Sequence, residues 1–235
     1  MDEQGVRINK YLSEAGVCSR READRQIEAG AVTVDGVCAR PGTRVLPGQT
    51  VCFQGRSVSQ EEERILLAFH KPAGIVCTAE KREKNNVIDY IHYPKRIYPV
   101  GRLDKDSEGL LLLTNDGALT HRLLHPSHEV SKEYRVTVSG PVEHAAERLS
   151  RVRDVVGLPI RPAEVRELSR KGNRAELSVI IHEGRNRQIR RMCAQCELEV
   201  LRLQRVREHC LELGALPLGQ WRYLTAEEIA GLEEE

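Results

Sequence analysis

The segment GRLDKDSEGLLLLTNDG, residues 101–117, is the most informative part of the sequence. A charged loop enclosed by glycines leads into four consecutive leucines, and the residues just before the loop are also largely apolar. Short apolar runs bounded by glycine are typical of buried strands. We therefore predict that this loop joins two strands, at residues 97–100 and 110–114.

Two acids in this loop, Asp104 and Asp106, are candidate catalytic groups. A carboxylate that acts as nucleophile or base must stay ionised when substrate excludes water, and a nearby cation lowers its pKa. Asp104 lies between Arg102 and Lys105. These considerations do not choose between the two acids, and a solvated loop of paired charges is the alternative interpretation.

The sequence on either side of this loop mixes strand and helix patterns. Strands are predicted at residues 65–69, 134–138 and 174–181, and helices at residues 143–152, at residues 186–195 and after Thr225. Thr225 and Glu228 have the spacing of a capping box, which marks the start of the last helix. The pattern predicts an α+β domain with a central mixed, largely antiparallel sheet flanked by helices.

The first part of the chain has the pattern of a separate small domain. Apolar residues at helical spacing predict a helix from Ile8 to Gly16, and a predicted capping box of Ser19 and Glu22 starts a second helix that ends at Gly30. Residues 32–39 then form a predicted hairpin around an Asp-Gly turn, and residues 51–53 form a further strand.

Residues 54–63 contain one apolar residue and end in three glutamates. Such a segment has little to pack with, so we expect a mobile linker. The predicted division is a small domain at residues 1–55, a linker at 56–63 and a larger domain at 64–235.

Five basic residues lie on or beside the two N-terminal helices, where they could contact RNA phosphates or form a solvated face. They are Arg7, Lys10, Arg20, Arg21 and Arg25. The segments N-K-Y-L, C-S-R-R-E-A and V-x-V-D-G, in this order, resemble the small α/β RNA-binding domain first known from a ribosomal small-subunit protein. That resemblance favours the RNA-binding interpretation of these basic residues.

The larger domain also resembles a known family. Its motifs H-K-P-A-G, Y-P-V-G-R-L-D-K-D-S-E-G, K-E-Y and E-G-R-N-R-Q-I-R-R-M are similar to those of the bacterial ribosomal RNA pseudouridine synthases with an N-terminal RNA-binding domain. The run Y-I-H-Y-P-K-R-I-Y-P-V-G-R-L-D is most like the F-type enzymes that act on large-subunit 23S ribosomal RNA. The resemblance implies isomerisation of a specific uridine to pseudouridine.

The same resemblance implies roles for three residues. The aspartate of G-R-L-D is the family's catalytic residue, which selects Asp104. The tyrosine of K-E-Y, Tyr134, packs against the target base, although an aromatic residue in a strand more often fills a core. Arg190, in Q-I-R, resembles the cation that pairs with the catalytic aspartate.

Further basic residues are predicted to contact the RNA. Arg185, Arg187 and Arg191 are included because arginines at a loop-to-helix junction present several donors to phosphate. Arg102 and Lys105, on either side of Asp104, complete the set. Arg187 and Arg190 are close enough in sequence to exchange their roles.

We expect no cofactor, because the reaction has no redox change and the sequence lacks nucleotide-binding and metal motifs. Two zinc interpretations are disfavoured: the C-x-x-C of Cys193 and Cys196 lies in a predicted helix, and His121, His125 and His128 lack the H-E-x-x-H pattern. Seven scattered cysteines indicate reduced thiols, and no segment has the composition of a signal peptide or membrane span. The expected location is the cytoplasm, without a membrane partner.

The net charge of +1 does not itself indicate a nucleic-acid partner, so local arginine clusters must supply the attraction to RNA. We expect a monomer that acts on ribosomal RNA. Two alternatives stay open from the sequence: a non-catalytic RNA-binding ribosome assembly factor, and the same chemistry on small-subunit ribosomal RNA or tRNA.

Overall fold

The computed structural model describes residues 5–59, 63–80, 82–125 and 130–234. Two compact units can be distinguished by their contacts. The first comprises the residues up to 65 together with 93–97 and 115–117, and the second comprises residues 66–92, 98–114 and the chain from 118 onward.

The first unit contains two helices and two small sheets. Its elements are β1 (Val6–Arg7), α1 (Ile8–Glu14), α2 (Arg20–Glu28), β2 (Val32–Val34), β3 (Val37–Cys38), β4 (Arg44–Val45), β5 (Val51–Phe53) and β6 (Arg56–Ser57). Strands β1 and β4 pair with each other, and the other four pair in the order β3-β2-β5-β6. The helices bury Ile8, Leu12, Ala23 and Ile27 against Val32 and Val51.

The tight turn and the helix start predicted in this unit are both present, but one hydrogen bond of the predicted capping box is missing. Asp35 and Gly36 both have positive φ, at 50° and 81°, as a tight hairpin turn requires. The Ser19 side chain accepts a hydrogen bond from the Glu22 N–H at 3.2 Å. The Glu22 carboxylate accepts a hydrogen bond from Gln26 and pairs with Arg25, so the capping box predicted here is not reciprocal.

The segment predicted to be an unpacked linker is packed against the first unit at its start. Strand β6 pairs with β5, the Val58 N–H donates to the Val51 carbonyl at 2.8 Å, and the Val58 side chain packs against the core of the first unit. This packing is hard to predict from the sequence, because only one residue of the segment is apolar. Residues 60–62 of this segment lie outside the described residues.

The second unit has a large sheet flanked by helices. Its strands are β7 (Leu66–Lys71), β8 (Tyr98–Val100), β9 (Glu108–Thr114), β10 (Lys132–Ser139), β11 (Asp154–Val155), β12 (Leu158–Pro159), β13 (Glu164–Lys171), β14 (Arg174–Ile181), β15 (Glu199–Glu208), β16 (Leu211–Glu212) and β17 (Trp221–Tyr223). Its helices are α3 (Val87–Ile91), α4 (Gly117–Leu124), α5 (Ala145–Ser150), α6 (Gln188–Gln195) and α7 (Ala226–Glu233).

Within the described residues, the large sheet has nine strands, seven of them in the order β13-β14-β10-β15-β9-β7-β17. Strand β8 pairs with β9, and β16 pairs with β15. Neighbouring strands are antiparallel except β15 and β9. The structure therefore confirms the predicted α+β class with a mixed, largely antiparallel sheet.

Strand β9 lies inside this sheet and is buried on both faces. Leu110 and Leu112 pack in a core with residues of α4 and α7, while Leu111 and Leu113 on the opposite face are also fully buried. Burial on both faces explains why this strand is a continuous apolar run without alternation. The loop before β9 is thus anchored to a strand that is buried on both faces.

Gly109 is the residue at which β9 meets β15. Its φ is 115°, and an added Cβ would lie 2.2 Å from the carbonyl oxygen and 2.4 Å from the nitrogen of Arg205. We expect Gly109→Ala to lower the free energy of unfolding by at least about 3 kcal/mol, because both the backbone conformation and the close approach exclude a side chain. Urea unfolding measures this loss.

Gly172→Ala is the matched control for that substitution. Gly172 also has a positive φ, 57°, but an added Cβ would meet no atom within 4 Å. Its expected cost is the conformational one alone, about 1–2 kcal/mol. Equal losses in the two variants would show that the approach of β9 to β15 is not the constraint.

Candidate active site

The loop that carries Asp104 is fixed from below by a buried lysine. Lys71, at the end of β7, is 0% exposed, and its Nζ donates to the carbonyl oxygens of Pro72 at 2.9 Å, Asp104 at 3.2 Å and Ser107 at 2.7 Å. Burial lowers the pKa of Lys71, while nearby acids, including Asp106, raise it. The lysine of H-K-P-A-G therefore holds the backbone of the loop in place.

A buried cysteine provides a second attachment for the loop. The Leu103 N–H donates to Cys77 Sγ at 3.3 Å, and Leu103 itself is buried. Burial raises the pKa of the Cys77 thiol, so the thiol stays protonated. Together with Lys71, this contact fixes the backbone on both sides of Asp104.

Asp104 faces a cavity of about 980 Å³ in the second unit. The cavity is lined by the loop, by the strand that carries Tyr134 and by the segment before α6. Of the basic residues predicted near the site, Arg102, Lys105, Arg185 and Arg187 also line it. Asp104 has 28% of its side chain exposed, so its carboxylate is accessible from the cavity.

The arginines divide their contacts differently from the prediction. Arg187 Nη1 lies 3.9 Å from Asp104 Oδ2, whereas Arg190 makes its ion pair with Asp106, with Nε 3.4 Å from Oδ2. Arg190 also donates to the Asp106 carbonyl at 2.9 Å and to Ser107 Oγ at 3.4 Å. The predicted pairing of Arg190 with Asp104 is therefore wrong, and Arg187 takes that position.

The backbone of Arg187 explains this exchange. Arg187 precedes α6 with φ 53° and ψ 33°, a left-handed conformation that non-glycine residues rarely adopt. This turn directs its guanidinium toward the loop, while Arg190, one helical turn later, reaches the loop backbone. Helical spacing alone could not reveal a turn of this kind.

Asp106 is the most heavily paired acid of the loop. Arg187 donates to both of its carboxylate oxygens, at 3.0 and 3.1 Å. These hydrogen bonds lower the pKa of Asp106 and raise that of Arg187. Both side chains are nearly half exposed, so water weakens the pair.

Tyr134 lies on β10 with its ring against the cavity, and 8% of the residue is exposed. Its cross-strand neighbour on β15 is Arg205. Burial raises the pKa of Tyr134, and the charge and hydrogen bond of Arg205 act in the opposite direction. Burial therefore favours the neutral phenol, whose ring can present a flat face to a base.

Arg205 is a site residue that the sequence analysis missed. It is 1% exposed; its Nε donates to the Leu110 carbonyl at 2.7 Å, and its Nη2 lies 3.1 Å from Glu208 Oε2. Burial alone would lower the pKa of Arg205, but Glu208 and Tyr134 raise it. A cation at an inward strand position is a weak sequence signal, because alternation predicts an apolar residue there.

The remaining predicted RNA-binding residues are placed as follows. Arg185 donates to the Pro159 carbonyl at 2.8 Å. Arg191 does not line the cavity, but it donates at 2.9 Å to Oδ1 of Asn186, which does. In the first unit, Arg7, Arg20, Arg21 and Arg25 are exposed and Lys10 is half-buried with Glu14 3.6 Å away.

The zinc interpretations gain no support from the described part of the chain. Cys193 and Cys196 are buried thiols within and at the end of α6, and burial raises the pKa of Cys193 to about 12. Among the described residues, no group of three or more His, Cys, Asp or Glu side chains could hold a metal ion. His128 lies outside these residues.

No helix in the described ranges is long and apolar enough to cross a membrane.

Two family models match the chain. The model described as RNA pseudouridylate synthase matches residues 65–195, and the model described as S4 domain matches residues 6–51. The chain belongs to the RNA pseudouridylate synthase family, and it is an isomerase that converts uridine in RNA to pseudouridine. The predicted family and enzyme class are confirmed.

Particular relatives are similar over nearly the whole chain. The dual-specificity RNA pseudouridine synthase RluF of Escherichia coli K12 is 40% identical over 235 residues, which cover 99% of this chain and 80% of that protein. The ribosomal large subunit pseudouridine synthase B of Bacillus subtilis is 37% identical, covering 96% and 95% of the two chains. A crystal structure of a pseudouridylate synthase superimposes with a TM-score of 0.68 at 29% identity, covering 97% of this chain and all of that one.

Proposed function

We propose that this enzyme isomerises a specific uridine of 23S ribosomal RNA to pseudouridine, without a cofactor. The observation that carries the proposal is the placement of Asp104 in a cavity of about 980 Å³, with the ring of Tyr134 in the same lining and Arg187 3.9 Å from the carboxylate. The choice of large-subunit RNA is supported by the name of the Bacillus subtilis relative.

A nucleotide that reacts in this cavity must leave its base stack. Enzymes that act on bases flip the nucleotide into a pocket, which costs a few kcal/mol of lost stacking. Ligand cavities of about 300–1,000 Å³ bury small molecules effectively, so a nucleotide fits the volume available here. Tyr134 then provides a replacement stacking surface, which offsets part of that cost.

Asp104 is the proposed catalytic residue. The reaction breaks the C1′–N1 bond, turns the uracil and joins its C5 to C1′, after which C5 loses a proton and N1 gains one. The ionised carboxylate can attack C1′ or the base, or it can remove a sugar proton to form a glycal. Arg187 Nη1, 3.9 Å from Asp104 Oδ2, is close enough to stabilise an anionic intermediate.

The other proposed roles concern RNA binding and the arrangement of the chain. Residues 1–55 bind structured RNA, and residues 64–235 carry the reaction. The linker predicted at residues 56–63 is limited to its later part, because β6 and Val58 pack with the first unit. The phosphate contacts are assigned to Arg7, Lys10, Arg20, Arg21, Arg25, Arg102, Lys105, Arg185, Arg187 and Arg191. Arg190 is reassigned from partner of Asp104 to support of the loop, on the basis of its hydrogen bonds to Asp106 and Ser107. We place the enzyme in the cytoplasm as a monomer.

A second RNA substrate is also proposed, because the Escherichia coli relative is named a dual-specificity enzyme. A transfer RNA or small-subunit ribosomal RNA would enter the same cavity. Since the base is flipped in either case, the distinction between substrates would come from the fold of the RNA around the target.

The direct test is incubation of the purified enzyme with in vitro transcribed 23S RNA, 16S RNA and total tRNA transcripts. Pseudouridines are then located by chemical labelling and primer extension. We expect one labelled uridine in 23S RNA, and labelling of a second RNA class if the enzyme has dual specificity. Labelling of 16S RNA or tRNA without 23S RNA would reject the proposed substrate.

A further inference from the structure

Asp106 has no role in the reaction as proposed, although arginines lie closer to its carboxylate than to that of Asp104. Both of its oxygens accept hydrogen bonds from Arg187, at 3.0 and 3.1 Å, and one oxygen lies 3.4 Å from Arg190 Nε. A carboxylate held by two guanidinium groups has the arrangement in which arginines also bind phosphate oxygens.

The donors around Asp106 are not all satisfied by its carboxylate. Arg190 Nε is buried and has no hydrogen-bond acceptor within the described part of the protein, although its charge lies near Asp106. A buried donor without an acceptor is costly, so its presence needs an explanation, and a bound ion is one. An anion with more oxygen atoms than a carboxylate could satisfy this donor together with those of Arg187.

The Asp106 carboxylate can also move away from the two arginines. It is 49% exposed, and its carboxylate is held in the described structure by Arg187 and Arg190. The backbone of the loop, in contrast, is fixed independently through Lys71. The carboxylate can therefore rotate into solvent without disturbing the position of Asp104.

We propose that Asp106 is an internal competitor for a phosphate-binding site formed by Arg187 and Arg190. In the free enzyme its carboxylate occupies the site, and a backbone phosphate of the RNA near the target uridine displaces it. The inference rests on the proposed function, since it takes the RNA in the cavity as substrate. It identifies the ligand of these two arginines as a phosphodiester oxyanion.

The proposal predicts that Asp106→Asn strengthens RNA binding rather than weakening it. Removing the competing charge should tighten RNA binding about threefold to tenfold, because an exposed ion pair no longer has to be broken. Loss of any negative charge also favours RNA, so a control is needed. Glu147→Gln removes a carboxylate that is similarly exposed, 54%, and similarly paired, but to Arg151 rather than to Arg187 and Arg190.

The experiment measures the Kd for in vitro transcribed 23S RNA by filter binding, with all proteins also carrying Asp104→Asn so that the RNA is not converted. Asp106→Asn is expected to bind about threefold to tenfold more tightly, and Glu147→Gln less than twofold. With Arg187→Ala also present, Asp106→Asn should change the Kd less than twofold, because the site is already disrupted. Weaker binding of Asp106→Asn, or a gain that persists with Arg187→Ala, would overturn the proposal.

Inorganic phosphate provides a readout that does not depend on the RNA substrate. In proteins that retain Asp104, the Nε–Hε resonance of Arg190 should shift on phosphate titration, with a midpoint at least threefold lower in Asp106→Asn than in wild type. Unchanged midpoints would reject the anion site. Failure of wild type to form pseudouridine in 23S RNA would instead reject the proposed function, so the two failures are distinguishable.

Discussion

Purified Asp104→Asn is expected to bind ribosomal RNA and to form no pseudouridine above background. An amide can neither attack carbon as a carboxylate does nor accept the proton, so turnover should fall by roughly 10⁴-fold or more. The loop should remain in place, because Lys71 and Cys77 bind backbone groups around residue 104 and do not contact its carboxylate. Single-turnover formation of pseudouridine and RNA binding measure the two properties separately.

Asp154→Asn is the matched control for this substitution. Asp154 is exposed on β11 in the same unit and does not line the cavity, so the same chemical change there should leave turnover within twofold of wild type. If Asp104→Asn retained more than about one per cent of wild-type turnover, another group would have to carry the reaction.

Lys71→Met is expected to lower both the stability of the fold and the rate of turnover. Methionine fills the space of the aliphatic chain but leaves three backbone carbonyls without their shared charged donor. Each acceptor that loses its partner costs about 1–3 kcal/mol, so we expect the free energy of unfolding to fall by about 3 kcal/mol or more. The protein that remains folded should turn over about 100-fold more slowly, because a small displacement of Asp104 removes its alignment with the reacting atoms of the substrate.

Lys171→Met separates this effect from the mere loss of a lysine. Lys171 is exposed at the end of β13, and its replacement should change the free energy of unfolding by less than about 0.5 kcal/mol. Urea unfolding and single-turnover rates should be measured on both variants. A Lys71→Met protein with wild-type stability and turnover would show that the three carbonyls do not hold the loop.

Some elements could be predicted because their causes are local. The Asp35-Gly36 turn follows from positive φ at both positions, and the last helix begins at Thr225 with both capping-box hydrogen bonds present. The four consecutive leucines of β9 predicted a buried strand, and the structure buries them on both faces of the sheet. In these cases neighbouring residues determine the structure, and the sequence signal is strong.

Other elements were missed because distant contacts decide them. Strand β13 is almost entirely exposed and has few apolar residues, so its pairing with β14 leaves little trace in the sequence. Strand β15 carries the buried Arg205 at an inward position, where the partner Glu208 makes a cation acceptable. Its alternation is therefore interrupted by charge.

For the candidate site, the sequence motifs pointed to residues that the structure brings together, but not to the way in which they pair. The motif selected Asp104 and placed Tyr134 in a strand, and both line one cavity. The arginine partner was wrong because the left-handed backbone of Arg187 turns that side chain toward Asp104. Such a conformation depends on the surrounding structure more than on the residue itself.

The most direct test of the central claim is pseudouridine mapping of ribosomal and transfer RNA from cells that lack this protein. The deleted cells are complemented with either wild type or Asp104→Asn. We predict that one pseudouridine in 23S RNA disappears on deletion, returns with wild type and stays absent with Asp104→Asn. An unchanged map in the deleted cells, or restoration by Asp104→Asn, would contradict the account.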